Sequence, residues 1–272
     1  MDFTGERYVP GAGTSDVQHE HMHRYRIGSK LAAGKRVLDL GSGEGYGAAL
    51  LSAVAASVTG LDAAQHAVAH AAARYRNAGI EFVVGSAEDP PLPSASYDLI
   101  TCFELIEHVD DQSAVMASAE RLLAPGGVLL LSTPDRATYN ASLVQPNEFH
   151  VRELDQSELE QLLRPHFDFV LYGQRTVVAS QIWRLGASGP GNLDMADDVE
   201  IPGDPTYWIA VAGRTGTQLP RLDASIFVEV VQQDSLLSDM HRAQVQLEVY
   251  EGHLQRLAAA LQAREADPPV QG

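Results

Sequence analysis

At 272 residues the chain can bury one good-sized core and a small appendage. Nineteen basic against thirty-six acidic residues leave a formal charge of −17, a surface that repels polyphosphates and argues against nucleic acid as a partner. The first residues lack the basic and apolar regions of a signal peptide, and no apolar run approaches membrane-spanning length, so a cytoplasmic protein with no membrane span is expected.

Residues 2 to 15 carry Pro10, Gly11 and Gly13 and predict an extended segment, in which Thr4-Gly-Glu-Arg7 either covers a site in the fold or forms an exposed arm. Val17 to Ala33 predicts a helix containing His19-Glu-His-Met-His-Arg-Tyr25. Its histidines fall at every second position and cannot share one helical face, so no metal site is expected there. The most informative stretch follows, Arg36-Val-Leu-Asp-Leu-Gly-Ser-Gly-Glu-Gly-Tyr46. Val37, Leu38 and Leu40 form a buried strand that breaks into a turn with Gly41, Gly43 and Gly45 at alternate positions, and an apolar helix from Ala48 to Ala56 comes next. Glycine suits a turn whose backbone takes angles a Cβ would forbid and lets a ligand lie against the peptide groups. The spacing is not that of a pyrophosphate cradle, which favours a nucleoside with an amino-acid tail over a dinucleotide.

This stretch resembles the first motif of the class I S-adenosylmethionine-dependent methyltransferases, and a second acid stands in register at Val58-Thr-Gly-Leu-Asp62. The resemblance implies an α/β fold: a Rossmann-like seven-stranded sheet with helices on both faces. It implies S-adenosylmethionine as cofactor, held by Asp39, Gly41, Ser42 and Gly43, with Asp62 and the adjoining Ala63 at the ribose. A simpler role for Asp62 is to cap the next helix. Arg24 and Tyr25 fit as groups covering the cofactor, Arg24 on its carboxylate, although an ordinary amphipathic helix also accounts for them.

Beyond Asp62, Ala63 to Asn77 predicts an alanine-rich helix and Ile80 to Val84 a third strand closed by Gly85-Ser-Ala-Glu-Asp89. By resemblance Ala87 and Glu88 line the adenine pocket, with Phe103 packed near it. Tyr97 to Cys102 is a fourth strand, and Cys102, the single cysteine, reads as packing within it. In Phe103-Glu-Leu-Ile-Glu-His-Val109, a helical turn would bring Glu104 together with Glu107 and His108 at the carboxyl edge of the sheet. After the fifth strand, Val128 to Ser132, the stretch Pro146-Asn-Glu-Phe-His-Val-Arg-Glu-Leu154 supplies His150 just before a helix from about Asp155 to Arg164. Two carboxylates and two imidazoles, Glu104, Glu107, His108 and His150, make a candidate site for magnesium or manganese. The arrangement resembles that of small-RNA 2′-O-methyltransferases, in which a metal lies against the hydroxyls of a terminal ribose. His108 or His150 is then the candidate proton acceptor. The other reading is a metal-free turn beside the cofactor, as many family members have.

Phe167 to Tyr172 and Thr206 to Ala212 supply two final strands, with a Gly-, Pro- and Asp-rich loop or lid from about residue 188 to 205 between them. The expected organisation is an arm and covering helix over 1–34, a methyltransferase domain over 35–213 and a C-terminal helix over 225–265. In that helix Leu236, Met240, Ala243, Leu247, Tyr250, Leu254, Leu257 and Leu261 form an apolar seam at heptad spacing. It reads as a coiled coil that makes a homo-oligomer, or as a helix folded back on its own domain. The motifs together resemble methyltransferases of polysaccharide and O-antigen assembly, which accompany glycosyltransferases. That implies transfer to a sugar hydroxyl, with a saccharide or other small hydroxylated acceptor and a glycosyltransferase as partners. A quinone or polyketide O-methyltransferase, or a non-catalytic scaffold for a glycosyltransferase, are the other readings.

Overall fold

The computed structural model describes residues 15–141, 147, 149–174 and 204–222. All of them belong to the unit that ends at Ser225. Thr4 to Arg7, most of the loop between the last two strands and the whole heptad helix lie outside the described residues, as does Glu148.

In chain order the elements are α1 (Ser15–Ala32), β1 (Arg36–Leu40), α2 (Tyr46–Ser52), β2 (Ser57–Asp62), α3 (Gln65–Arg74), β3 (Glu81–Val84), β4 (Tyr97–Phe103), a single 3-10 turn (Ile106–His108), α4 (Gln112–Leu122), β5 (Leu123–Pro134), α5 (Arg136–Ala141), α6 (Gln156–Leu163), β6 (Asp168–Gln174) and β7 (Tyr207–Gly213). The strands form one seven-stranded sheet in the order β3-β2-β1-β4-β5-β7-β6. β7 is antiparallel to both of its neighbours, β5 and β6. The remaining pairs are parallel.

Central strands of a parallel sheet are covered on both faces, and their residues divide by parity. Leu38, Leu40, Ile100, Cys102, Leu129 and Leu131 pack with Met116, Leu122 and Leu159 of α4 and α6. Val37, Leu99, Val128 and Leu130 pack on the other face with Tyr25, Ala48 and Leu51 of α1 and α2. Each leucine buried this way contributes roughly 1.5–3 kcal/mol relative to exposure, so β1, β4 and β5 are a rigid base for the loops at their carboxyl ends.

Several boundaries differ from expectation. α2 starts at Tyr46 and stops at Ser52, because it springs directly from Gly45 at φ 78°. β5 begins at Leu123, before Gly126 and Gly127, since Leu123 already pairs with Tyr97. Asp135, read as part of a turn, caps the unexpected α5 by accepting from Ala137 N at 3.0 Å and Thr138 N at 3.1 Å. Asp155 caps α6, accepting from Glu158 N at 3.0 Å while Glu158 Oε2 accepts from Asp155 N at 3.0 Å.

The strand order reverses at β1 and β4, and the two loops that leave their carboxyl ends face one another there. A Cβ placed on Gly41 would lie 3.1 Å from the Leu105 side chain, so the glycine turn and the Glu104–His108 loop are in contact.

Candidate active site at the carboxyl edge

Gly41, Gly43 and Gly45 all take positive φ, at 81°, 50° and 78°. The N–H groups of Gly41 and Ser42 donate to Leu61 O at 2.8 and 2.9 Å, which straps the turn to β2. Asp62 completes the strap: Oδ2 accepts from Gly43 N at 2.9 Å and Oδ1 from Ala64 N at 2.8 Å, with Ala63 exposed beside it. The same carboxylate therefore joins the two strand ends and holds the N–H of Ala64, the N-cap residue of α3, which itself has no side-chain cap. A Cβ on Gly43 would meet nothing within 4 Å, whereas one on Gly45 would lie 2.8 Å from Ala71 Cβ and one on Gly47 only 1.9 Å from the Tyr25 ring. Gly43 marks the open side of the turn; Gly45 and Gly47 are there for packing. The buried Oγ of Ser42 lies 3.0 Å from where a Gly60 Cβ would stand and so faces β2, which leaves the backbone of Ser42 as its part of the turn.

Asp39 is buried and engaged internally. It accepts from Thr101 Oγ1 at 2.7 Å and from Tyr25 Oη at 3.1 and 3.2 Å. Burial raises its carboxyl to about 6, against the lowering effect of those hydrogen bonds. Tyr25 thus covers Asp39, and Phe103 meets the Tyr25 ring edge-on at 5.0 Å inside the same layer. Burial, followed by the Asp39 charge, pushes the Tyr25 hydroxyl well up. In the turn after β3 Ala87 is buried, while Glu88 Oε1 accepts from Asp111 N at 2.9 Å and ties that turn to the start of α4.

Arg24 is only 1% exposed. Its Nε donates to Gln174 Oε1 at 2.9 Å, its Nη1 lies 3.4 Å from Glu104 Oε1, and its guanidinium stands 4.2 Å above the Tyr207 ring. Nη2 has no hydrogen-bond partner among the described residues. No sequence signal placed Gln174 or Tyr207 here, because both reach Arg24 through the sheet from more than a hundred residues away.

The loop after β4 also departs from the expected helical turn. Glu104 takes φ 49° and sits before the 3-10 turn, and Oε1 accepts from Ser132 Oγ at 2.7 Å while facing Arg24. It does not join the imidazoles. Glu107, His108 and His150 do: one ligand atom from each lies within 4.8 Å of the others. Glu107 is fully buried, its Oε2 accepts from Thr133 Oγ1 at 3.2 Å, and its Oε1 has no partner among the described residues. Burial first and the Glu104 charge second push its carboxyl well above the usual range. The backbone carbonyl of Glu107 accepts from Val151 N at 2.8 Å and Arg152 N at 3.1 Å, which is what brings the His150 loop alongside.

The two rings meet at 4.8 Å and 83°, and Tyr139 stacks on His150 at 5.3 Å and 23°. His108 Nδ1 lies 2.9 Å from Phe149 O, and His150 Nδ1 lies 2.6 Å from Glu153 Oε1. A carbonyl can only accept, so His108 carries its proton on Nδ1, and an ionised Glu153 demands the same of His150. In the neutral form of each ring the lone pair is then on Nε2. Two imidazoles and a buried carboxyl group that each bring one ligand atom to the same place form a donor set for a cation.

A family model described as a methyltransferase domain matches residues 18–170. A Mycolicibacterium smegmatis protein named "Probable S-adenosylmethionine-dependent methyltransferase" is 42% identical over 165 residues, 60% of this chain and 63% of that protein. The chain thus spans a little under two thirds of that relative's length. A Mycobacterium tuberculosis protein of the same description is 32% identical over 234 residues, 78% of this chain and 84% of its own. A "Ubiquinone biosynthesis O-methyltransferase" of Thiobacillus denitrificans is 37% identical over 107 residues, 38% of this chain and 46% of that protein. In fold, the chain is similar to the PH0226 protein from Pyrococcus horikoshii OT3, with a TM-score of 0.58 at 18% identity, covering 79% of this chain and 100% of that one. With a glycine turn, two strand-end acids and the reversed strand order all in place, the chain belongs to the class I S-adenosylmethionine-dependent methyltransferases.

Proposed function

We propose that the protein is an O-methyltransferase whose acceptor is a sugar hydroxyl with a neighbouring oxygen, held at Glu107, His108 and His150. The observation that carries this is the convergence of those three residues beside the glycine turn, with Glu107 Oε1 buried and without a partner among the described residues. S-adenosylmethionine supplies an electrophilic methyl group on a sulfonium. The open side of Gly43 and the carboxylate of Asp62 would receive its nucleoside, and the buried, unpartnered Nη2 of Arg24 supports a role for that guanidinium on its carboxylate.

An alcohol is a weak nucleophile at neutral pH and needs its proton removed as the methyl group arrives. With no cation bound, Nε2 of a neutral His108 or His150 would accept that proton; a nitrogen that ligates a cation has no lone pair left, so with the cation bound the acidified proton would pass to solvent. A divalent cation held by Glu107, His108 and His150 would supply Lewis acidity that lowers the hydroxyl pKa and would bind an adjacent oxygen. Two nitrogens and one carboxylate oxygen fit manganese better than magnesium, which prefers an all-oxygen shell. Glu104 leaves the expected ligand set and serves as the partner of Arg24.

A catechol-like acceptor is the second reading, favoured by the likeness to ubiquinone biosynthesis O-methyltransferases over part of the chain. The test is methyl transfer from S-adenosylmethionine labelled in its methyl group to a panel of vicinal-diol saccharides and a panel of catechols, each with manganese and with chelator. Label on a saccharide oxygen that chelator suppresses is the expected result. Label on nitrogen, or transfer indifferent to chelator, contradicts the proposal.

A further inference from the structure

The pair formed by His150 and Glu153 is buried, with side chains 8% and 7% exposed. Its 2.6 Å separation is short for an N–H to oxygen contact, which marks a charge-assisted bond. The ring is fixed on two further sides, by Tyr139 stacked at 5.3 Å and by His108 edge-on at 4.8 Å. Glu153 lies one turn of chain from His150 and just before Asp155, the N-cap of α6, so its backbone is anchored to a regular element. Leu154 beside it is buried and bridges to Asp135 at the end of β5.

We propose that Glu153 is a positioning residue: it holds neutral His150 as the Nδ1–H tautomer and thereby leaves the lone pair on Nε2 for the cluster with Glu107 and His108. The proposal rests on the function given above for what that nitrogen then does. The tautomer itself follows from geometry. An imidazole in a buried site can be protonated on either nitrogen at nearly equal intrinsic cost, and the hydrogen-bond partner of one nitrogen decides the other. A carboxylate accepts only, so the proton goes to Nδ1. Glutamine at the same position can instead donate to Nδ1, which moves the ring proton to Nε2 and points a donor where the site needs a lone pair. Carboxylate partners of this kind also raise the affinity of a histidine for metal, by about 10- to 100-fold.

The test uses full-length protein labelled with 15N at its ten histidines and stripped of metal. The His150 signals are identified by their loss in His150→Gln, and native protein is compared with Glu153→Gln and Glu153→Asp. The native protein should show His150 protonated on Nδ1, Glu153→Asp should keep that state, and Glu153→Gln should lose it. Manganese affinity should fall about 10- to 100-fold in Glu153→Gln, with S-adenosylmethionine affinity within about twofold of native. A native His150 protonated on Nε2 overturns the proposal, and so does a tautomer unchanged in Glu153→Gln. The native spectrum decides the matter even if Glu153→Gln does not fold. Failure of native protein to bind manganese, with the Nδ1–H tautomer observed, would sink the metal reading and leave the role of Glu153 in place.

Discussion

Arg24 and Glu104 form an ion pair at 3.4 Å that joins α1 to the loop after β4. Arg24 is the more deeply buried partner, and Glu104 holds its left-handed backbone at φ 49° while serving both Arg24 and Ser132. Removing either charge leaves the other desolvated without its counterion. Arg24→Met should therefore destabilise the fold by about 3 kcal/mol, whereas adding Glu104→Gln to it should return about 1 kcal/mol of the loss. Urea denaturation of the two single variants and the double variant checks the sign of that coupling.

Gly43 and Gly47 should separate binding from packing. Gly47→Ala puts a methyl group 1.9 Å from the Tyr25 ring and should cost about 3 kcal/mol of stability. Gly43→Ala meets no neighbour and should cost about 1 kcal/mol through its φ of 50°, while its methyl group, on the open side of the turn, lowers S-adenosylmethionine affinity by about tenfold or more. Thermal melts and calorimetric titration of the two variants distinguish the roles.

His21 sets an acid limb on stability. Burial first and the Arg24 charge second push its imidazole down to about 3, from 6.5 in an unfolded chain. As pH falls below 6.5 the unfolded chain takes up a proton that the folded protein refuses, so stability is fully present above that pH and is lost toward pH 3. The slope reaches about 1.4 kcal/mol per pH unit. His21→Gln, which can still meet Tyr46 Oη at the present 2.6 Å contact, should flatten this limb relative to native protein in denaturation measured between pH 7 and 4.5.

Glu107 tests the chemistry apart from the cofactor. Glu107→Gln keeps the shape and the bond from Thr133 but exchanges an acceptor for a donor at the point of convergence. Turnover should fall at least about 100-fold with S-adenosylmethionine affinity within about twofold. Parallel loss of both would instead make Glu107 part of the cofactor site.

Much of the fold was legible from Val37 to Asp62, because a strand, a turn with three glycines and two strand-end acids, Asp39 and Asp62, fit one another. The sheet reads out of short apolar runs for the same reason. Glu104 was misread because nothing in Phe103-Glu-Leu announces a left-handed residue, and the apparent spacing to Glu107 and His108 is helical only if the backbone is. Among the glycines, spacing could not tell the open Gly43 from Gly47, whose need is the Tyr25 ring lying on it. Glu153, Thr133 and Tyr139 escaped notice because their part in the site is made by loop contacts, above all the carbonyl of Glu107 receiving Val151 and Arg152.

In the proposed reaction Glu107, His108 and His150 act together on a hydroxyl acceptor through a bound cation. Its most direct test is calorimetric titration of manganese into protein saturated with S-adenosylmethionine, native and His150→Ala side by side. Native protein should give a saturable heat of one site that disappears in the variant while cofactor binding persists. An equal manganese heat in both proteins, or none in native protein, contradicts the proposed reaction.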